Sequence, residues 1–401
     1  MSRVYYNAIG NLKTSKINEG TEYEGVLTVA GDENQRLDYK YPQWLPTWNP
    51  KDQLAFNHLK PFRHIDRGLF GDPEFKSLLG DKNVTYRKVS PKLGIEVEGI
   101  QLSTLTDKQK DDLALLVEKV GVVALKGQDF KNKSFNELRE WGRYYGPLDV
   151  HANSGAPLEN PEFHVVFKSN NPKQKEKLFS DSLNSIRWHS DVSYENQTPG
   201  ITILVMLETG LGGDTQFIDS VELYNRFSPL LKSKLEGLRV LHSSREQANG
   251  TTSIGAIQRK GVVESIHPLI RYHPVLKKKT LFINSNFSRR FLGLKQEESD
   301  NLSKFLLDHS KACLDAHIRL QWDENTVVMW DNRRVIHAAT ADWDAASTRH
   351  AFRVTTMAER PVETEEEYES WAPEAEEERL KLKDYYLNLS PAKYYEATTP
   401  K

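Results

Sequence analysis

The sequence predicts a mainly β fold, a sandwich or barrel of short strands with helices outside it. Three observations support this prediction. Most segments after residue 186 have the length and β-branched composition of strands. Residues 201–207 form a continuous apolar run that is typical of a buried strand. A single long amphipathic pattern at 296–317 indicates one helix inserted among the strands, with an apolar side made of Leu302, Phe305, Leu306, Cys313 and Leu314.

The elements that precede residue 186 alternate between strand and helix. The stretch 94–100 alternates apolar and charged side chains, and helix-capping residues stand before each of two helical patterns. In order, we expect a strand at 94–100, a helix from Thr106 or Asp107 to about 120, a buried strand at 121–125 and a helix from Ser134 to about 145.

The later elements follow a Gly212-Gly213-Asp214 turn. They are mostly short apolar runs separated by polar turn residues, apart from the two helical patterns. In order, we expect a strand at 215–218, a helix over 220–236, a strand at 238–242, the helix at 296–317, strands at 317–322 and 326–330, and a last strand at 351–358.

Composition changes suggest three regions along the chain. Residues 1–85 are rich in Tyr, Trp, Pro and Asn and show no clear period, which predicts an extension that wraps a core. Residues 86–360 are expected to form one domain. Residues 361–401 begin with a cluster of glutamates and predict an acidic, solvated tail that is partly helical.

Bulk properties exclude several classes of function. A net charge of -2 argues against non-specific nucleic-acid binding, and no apolar run reaches the ~20 residues of a membrane-spanning helix. The N-terminus has no apolar segment of a secretory signal, so a cytoplasmic location is expected. The single Cys313 excludes an internal disulfide and a cysteine-rich metal site.

The triplet His189-Ser190-Asp191 and the distant His337 are the candidate metal ligands. Alternate residues of a strand point to one face, so His189 and Asp191 can bind one ion together. Two histidines and one carboxylate form the facial triad of non-haem Fe(II) enzymes, which leaves coordination positions open. An H-x-D triplet alone is common by chance, and a solvated loop is the alternative interpretation.

The surrounding motifs resemble those of the Fe(II)/2-oxoglutarate-dependent taurine dioxygenase (TauD-like) family, in its fungal sulfonate dioxygenase branch. The resemblance covers roughly residues 88–360, and it implies a double-stranded β-helix, or jelly roll, with helices outside. The matching segments are G-I-E-V-E-G-I at 94–100, V-V-A-L-K-G-Q at 122–128, W-H-S-D-V-S at 188–193, G-G-D-T at 212–215 and W-D-N-R…H at 330–337, followed by Arg349 and Arg353.

The resemblance implies a role for each matching residue. His189, Asp191 and His337 would bind Fe(II) and form the catalytic centre. Thr215 and Arg349 would bind the distal carboxylate of the cosubstrate 2-oxoglutarate. Arg353 and His151 would bind the sulfonate of the substrate. With O2, the reaction would hydroxylate the carbon beside sulfur in an alkyl sulfonate and release sulfite and an aldehyde, together with succinate and CO2.

This sequence departs from the family where the taurine amine is recognised. Ser154 and Ser185 replace the expected tyrosine and asparagine, and the loop at 168–187 is longer and more basic. A different small-molecule sulfonate is therefore expected. An alkyl sulfate ester, a small carboxylate and a non-catalytic β-barrel binding protein are the alternatives. A homo-oligomer is implied by resemblance alone, and no nucleic-acid or membrane partner is expected.

Other polar residues favour structural interpretations. Arg333 and Arg334 lie beside Asp331, which predicts ion pairing. His267 and His273 each precede a proline in what we interpret as a turn-rich segment, so neither is expected to bind the metal.

Overall fold

Five sheets and twelve helices are present in the part of the chain that the structure, a computed structural model, describes, namely residues 13–14, 19–168, 187–253, 256–344 and 347–398. The strands are β1 (Lys13–Thr14), β2 (Leu27–Thr28), β3 (Thr47–Trp48), β4 (Thr85–Lys88), β5 (Ile95–Glu98), β6 (Val122–Leu125), β7 (Phe163–Lys168), β8 (Pro199–Glu208), β9 (Thr215–Asp219), β10 (Arg239–Ser243), β11 (Glu264–Pro268), β12 (Ile270–His273), β13 (Lys278–Leu281), β14 (Ser288–Phe291), β15 (His317–Leu320), β16 (Val327–Asp331), β17 (Val335–Ala339) and β18 (Arg349–Met357).

Several helices pack on the outer faces of the seven-stranded sheet and of one three-stranded sheet, and six short 3-10 turns accompany them within the described residues. The α-helices are α1 (Glu33–Leu37), α2 (Lys76–Leu79), α3 (Asp107–Val120), α4 (Phe135–Arg143), α5 (Ser220–Asn225), α6 (Pro229–Leu235), α7 (Arg245–Ser253), α8 (Gln296–Ala312), α9 (Glu365–Ser370), α10 (Pro373–Lys381), α11 (Lys383–Leu387) and α12 (Pro391–Thr398).

The largest sheet has seven strands in the order β4-β5-β6-β16-β8-β18-β7. Its pairs are antiparallel except β5 with β6, which run parallel because α3 connects them as a crossover. As predicted, Thr106 caps α3 and Ser134 caps α4, each in a capping box with a residue three positions on. These caps fix where the helices start on the outer face of the sheet.

A second, three-stranded sheet in the order β15-β9-β17 lies against the seven-stranded one. Phe217 of β9 and Val335 of β17 belong to the same apolar cluster as Leu204 of β8 and Ala351 of β18. Side chains alternate between the faces of a strand, so this shared cluster defines the inner faces of the two sheets. The inner face of β18 therefore carries Arg349 and Arg353 as well as Ala351.

Each of these two sheets also has an apolar core on its outer face, where helices pack. Phe352 and Val354, on the other face of β18, pack with Leu113 of α3 and Trp141 of α4. On the second sheet, Ile218 and Ile336 pack with helices α5, α6 and α8. The arrangement is four layers, in the order helices, large sheet, small sheet and helices.

The described part of the N-terminal region crosses the outer face of the large sheet. Trp44 is fully buried and stacks on Phe352 with ring centroids 3.8 Å apart. The main-chain carbonyl of Trp44 accepts a hydrogen bond from Nε2 of His350 at 2.9 Å. Residues 19–85 contain only short elements, as expected from their lack of period. Their apolar contribution to the core comes from side chains such as Trp44 rather than from regular elements.

Four predictions about individual elements are wrong. The helix expected over 220–236 is two helices, because Pro229 starts a new one after a cap at Ser228. The helix expected at 296–317 ends at Ala312. Phe305 and Leu314, assigned to its apolar side, are exposed. The segment around His267 and His273 is not turn-rich, since both residues lie on strands.

The C-terminal region is helical and acidic but is not wholly solvated. Glu376 of α10 is buried and accepts hydrogen bonds from Arg379 and Trp371. Its ion pair with Arg360 connects α10 to the segment that follows β18. Within the described residues, no helix combines the length and the apolar character needed to cross a membrane.

Candidate metal and anion site

The three predicted metal ligands meet at the edge of the inner space between the two sheets. His189 and His337 face each other in an isolated antiparallel bridge. The His189 N–H donates to the His337 carbonyl at 3.0 Å, and the His337 N–H donates back at 2.7 Å. This bridge brings together two histidines that are far apart in sequence, and their ring centroids lie 4.3 Å apart.

The ligand atoms of these residues converge on one point. Oδ1 of Asp191 lies 3.9 Å from Nε2 of His189 and 3.6 Å from Nε2 of His337. A triangle with such sides accommodates an ion at the ~2.0–2.2 Å distances that nitrogen and oxygen ligands prefer. His189, Asp191 and His337 therefore fit a divalent metal ion, and their composition is that of an Fe(II) facial triad.

Neighbouring groups orient both histidines for metal binding. Nδ1 of His189 donates to the carbonyl of Arg187 at 2.7 Å, which leaves Nε2 unprotonated in the neutral ring. The His337 ring packs between Trp330 and Phe217, with centroid distances of 4.9 Å and 6.0 Å. Its buried Nδ1 has no hydrogen-bond partner among the described residues.

Asp191 is held by a polar network from the W-D-N-R segment. Its N–H donates to Oδ1 of Asn332 at 3.0 Å, and its Oδ2 accepts from the Thr202 hydroxyl at 2.9 Å. Nδ2 of Asn332 donates in turn to the Thr202 hydroxyl at 2.8 Å and to the Gly200 carbonyl at 3.0 Å. The W-D-N-R motif is evident in the sequence, but the role of Asn332 is not. Asn332 positions the Asp191 carboxylate by accepting from the main-chain N–H of Asp191.

The protonation states favour metal binding. Burial by itself would raise the pKa of Asp191, but the positive charge of Arg353 and the two histidines lower that pKa to about 2. Burial lowers the pKa of His189 and lowers the pKa of His337 to about 3. The site at neutral pH therefore has an ionised carboxylate and neutral imidazoles, the forms that bind a cation.

We expect Asn332→Ala to weaken Fe(II) binding by about 10–100-fold, the usual effect of removing a partner that orients a ligand. The Asp191 N–H and the Thr202 hydroxyl both lose a hydrogen-bond partner, so the carboxylate is no longer fixed. Anaerobic competition with a chelator measures this change. Asn301→Ala, at an exposed position on α8, is the control. Equal affinities of Asn332→Ala and wild type would contradict the positioning role.

Arg353 lies at the metal site itself. Its Nη1 donates to Oδ1 of Asp191 at 2.7 Å, the same oxygen that faces both histidines. Its Nη2 donates to Nδ1 of His164 at 2.6 Å. The expected substrate-binding arginine thus borders the metal ligands, and it has a histidine partner that sequence analysis missed. An i, i+2 pattern along 163–168 could have placed His164 on the same face as the arginines.

Arg349 and Thr215 lie near each other around the Trp322 indole. The Trp322 Nε1 donates to Oγ1 of Thr215 at 3.1 Å, and the Arg349 guanidinium lies 6.0 Å from the Trp322 ring centroid. Arg349 is buried, and no carboxylate of the described chain forms an ion pair with it. Burial lowers the pKa of Arg349 to about 10, although Asp214 opposes this shift. Such a buried cation is suited to bind an anionic ligand.

The glycine turn before β9 packs closely against Arg349. Gly213 has a positive φ of 68°, and a Cβ at this position would lie 3.1 Å from Cδ of Arg349. Gly212 has a φ of 81°, and its Cβ would lie 2.5 Å from the Asp342 carbonyl oxygen. Both positions therefore need glycine, and the turn allows Thr215 to start β9 beside Arg349.

His151 has one fixed tautomer. Its Nδ1 accepts hydrogen bonds from the N–H groups of Asn153 and Ser154, both at 3.1 Å. The proton of the neutral ring is therefore on Nε2, which can donate to an anion. Burial and the charge of Arg353 lower the pKa of His151 to about 3. Its ring lies 4.6 Å from that of His164, so the predicted substrate residue joins the Arg353 cluster.

The remaining polar candidates are structural, as predicted. Arg333 forms ion pairs with Asp331, Asp66, Glu118 and Glu359. A second set of potential metal ligands comprises His64, Asp66 and Glu359, of which Asp66 and Glu359 both form ion pairs with Arg333. Arg334 pairs with Asp219, and His273 bonds to Asp331 at 2.6 Å. His267 bonds to the Glu195 carbonyl at 3.0 Å. Ser185 and most of the basic loop expected at 168–187 lie outside the described residues.

Comparisons with known proteins agree with this geometry. An alpha-ketoglutarate-dependent sulfonate dioxygenase of Saccharomyces cerevisiae is 44% identical over 343 residues, covering 84% of this chain and 82% of the yeast protein. An alkylsulfatase of Acinetobacter baylyi is 28% identical over 281 residues, covering 65% of this chain and 81% of that protein. The crystal structure of a taurine dioxygenase from Burkholderia xenovorans superposes with a TM-score of 0.56 at 22% identity, covering 70% of this chain and 93% of that one.

A family model covers the region that contains every site residue described above. The model for "Taurine catabolism dioxygenase TauD, TfdA family" matches residues 85–355. This range runs from β4 almost to the end of β18 and includes His189, Asp191 and His337. On the strength of that match and of the yeast relative, the chain belongs to the TauD/TfdA family of dioxygenases.

Proposed function

We propose that this protein is an Fe(II)/2-oxoglutarate-dependent dioxygenase that hydroxylates the carbon beside sulfur in alkyl sulfonates. The hydroxylated product splits into an aldehyde and sulfite, while 2-oxoglutarate and O2 give succinate and CO2. The observation that carries the proposal is the placement of two buried arginines, Arg349 and Arg353, on the β18 face that borders the His189-Asp191-His337 triangle. The metal site would hold Fe(II), one arginine would bind the carboxylate of the cosubstrate, and the other arginine would bind the anionic substrate.

Three groups of residues would each bind a different ligand. His189, Asp191 and His337 would hold Fe(II), which with 2-oxoglutarate and O2 supplies the oxidant for an unactivated carbon. Arg349 and Thr215 would bind the distal carboxylate of 2-oxoglutarate through charge-assisted hydrogen bonds. Arg353 and His151 would bind the sulfonate and place the adjacent carbon beside the metal. Trp322 and Trp330 line the Thr215 and His337 side chains and exclude water from them.

The substrate class is supported by the yeast relative, whose name includes sulfonate. The bacterial relative named alkylsulfatase favours a second candidate, the same chemistry on an alkyl sulfate ester. Both substrates present three oxygens on sulfur to Arg353 and His151. Sulfur is bonded directly to carbon in a sulfonate and through an oxygen in a sulfate ester. Hydroxylation of that carbon in the ester therefore releases sulfate rather than sulfite.

The decisive experiment measures sulfite, sulfate and succinate together over a panel of alkyl sulfonates, alkyl sulfates and aryloxyacetates. We expect sulfite and succinate in equal amounts from at least one sulfonate. Arg349→Met should lose succinate formation because the cosubstrate no longer binds, and Arg143→Met, at an exposed position on α4, should behave as wild type. Sulfate as the dominant product would favour the ester, and succinate formation that no substrate stimulates would reject the proposal.

Several broader features form part of the same proposal. We propose that the two facing sheets form a double-stranded β-helix, supported by their shared inner core. We also propose that residues 86–360 form the dioxygenase domain, with an N-terminal extension and a C-terminal helical tail packed on it. The single buried Cys313 is compatible with a reducing cytoplasm.

A further inference from the structure

His164 shares the substrate face of the large sheet with Arg353. The antiparallel register of β7 and β18 places His164 directly opposite Arg353 and Lys168 opposite Arg349. Val166, between His164 and Lys168, packs against the inner core shared by the two sheets. Because alternate residues of a strand share a face, the His164 side chain points into the same inner space as Arg353.

Hydrogen bonding fixes the tautomer of His164. An arginine has donors only, so the 2.6 Å contact from Nη2 of Arg353 requires an unprotonated Nδ1 on His164. The proton of the neutral ring is therefore on Nε2. His151 has the same tautomer, because its Nδ1 accepts two main-chain N–H groups. Neither Nε2 atom has a protein hydrogen-bond partner within the described ranges of the chain.

The two imidazoles and the guanidinium form one cluster of donors, which we call the donor cluster and define as His151, His164 and Arg353. The imidazole rings lie 4.6 Å apart at an angle of 54°. Burial lowers the pKa of both histidines, and the charge of Arg353 lowers each pKa further, so both rings are neutral at pH 7. Arg353 also forms an ion pair with Asp191 at 2.7 Å.

We propose that His164 is a substrate-binding residue that sets the specificity of the site for a monoanion whose oxygens only accept hydrogen bonds. This inference rests on the proposed function, because it assigns the sulfonate group to the donor cluster. A sulfonate or sulfate ester has one negative charge and three acceptor oxygens. Two Nε2–H groups and one guanidinium supply donors to those oxygens without adding positive charge beyond that of Arg353.

The same cluster selects against an alkylphosphonate. A monoprotonated phosphonate has an O–H donor, for which the donor cluster provides no acceptor. A fully ionised phosphonate has a second negative charge, which neutral imidazoles do not compensate. An unpaired polar group in a buried site costs binding free energy, so a site built of donors distinguishes anions of almost the same shape.

His164→Phe provides the test, because phenylalanine keeps the ring volume but removes both nitrogens. The probes are ethanesulfonate and ethylphosphonate, titrated calorimetrically and without oxygen into protein loaded with Fe(II) and 2-oxoglutarate. We expect wild type to bind ethanesulfonate more tightly than ethylphosphonate. His164→Phe should weaken ethanesulfonate binding by about 10–100-fold, the range for losing a hydrogen bond to a charged group, and should largely abolish the preference.

Two further variants separate binding from structural damage. His164→Asn has an amide that can accept from Arg353 and donate to the anion, so it should recover most of the preference. His350→Val changes a histidine on β18 that bonds to the Trp44 carbonyl on the other face, and its anion preference should equal that of wild type. If His164→Phe does not fold, loss of the preference in His164→Val, with recovery in His164→Asn, tests the same claim.

The outcomes distinguish this inference from the proposed function. An unchanged sulfonate affinity in His164→Phe, or equal weakening of both anions, would overturn the role of His164. Absence of sulfite from wild type with every sulfonate would instead reject the proposed reaction. The anion preference is measured by binding alone, so it tests the donor cluster whether or not sulfite is released.

Discussion

Asp191→Asn is expected to abolish tight Fe(II) binding and, with it, succinate formation. Oδ1 of Asp191 is the one carboxylate oxygen that faces both Nε2 atoms of His189 and His337. Asparagine keeps the shape but removes the negative charge that attracts a divalent cation. The loss in affinity should exceed the ~10–100-fold that follows from removing an outer partner, because a direct ligand is lost.

Metal affinity and protein stability must be measured side by side to interpret this variant. Asparagine Oδ1 can still accept from Nη1 of Arg353, so the fold should persist, as circular dichroism and thermal unfolding can verify. Asp323→Asn is the control, because the Asp323 side chain is 72% exposed and forms an ion pair with Lys126 at 2.7 Å, far from the metal ligands. Wild-type Fe(II) affinity in Asp191→Asn would show that the metal lies elsewhere.

Arg333→Met is expected to cause a large loss of stability. Arg333 is 1% exposed at its side chain and pairs with Asp331, Asp66, Glu118 and Glu359. Asp66 belongs to the N-terminal region, so this one guanidinium joins that region to the turn that carries Asn332. Removing one partner of a buried ion pair costs about 3–5 kcal/mol, and here several carboxylates lose their counter-charge. Chemical denaturation at pH 7 measures the free energy of unfolding.

The pH dependence of this variant has a definite sign. Burial would raise the pKa of Asp331, but the charge of Arg333 holds the pKa well below its ordinary value. Without Arg333 the buried carboxyls should have raised pKa values, so the folded state would bind protons more readily than the unfolded state. Stability that comes from a raised carboxyl pKa is lost as pH rises, so the deficit relative to wild type should be smaller at pH 5 than at pH 8.

Glu118→Gln is the matched comparison within the same cluster. Burial and the negative charge of Asp66 raise the pKa of Glu118, which favours the protonated form of this carboxyl, a form that still accepts a hydrogen bond from Arg333. A neutral amide of similar shape should therefore change the free energy of unfolding by no more than about 1 kcal/mol. A loss as large as that of Arg333→Met would show that Glu118 is ionised and would require a different account of the cluster.

Local patterns in the sequence were sufficient for much of the fold. Capping residues and apolar periodicity located α3, α4, β8 and β16 to within a few residues. Strands β7 and β11 to β14 were harder, because their inward residues include buried polar and charged side chains such as His267, Arg271 and His273. A pattern based on apolar residues does not recognise a strand that is buried against ion pairs.

Local sequence did not reveal that the helix predicted over 220–236 is broken in two. It also did not reveal which side of α8 is exposed. Pro229 stands at the start of α6, where its fixed φ suits the first turn of a helix. Phe305 and Leu314 are exposed, although their spacing fits the apolar side of the helix predicted at 296–317. Periodicity indicates which residues share a face, but only the packing partners decide which of them are covered.

The chemical character of the site was determined by the sequence alone. A short H-x-D triplet, a distant histidine and two arginines four residues apart specify a metal ion with anionic ligands, because few other combinations of residue types suit both. The tertiary structure decided which groups act together. The His189–His337 bridge, the support of Asp191 by Asn332 and the contact of His164 with Arg353 join residues separated by more than 100 positions. Such contacts depend on strand register and on how two sheets face each other, and neither is encoded in a local pattern.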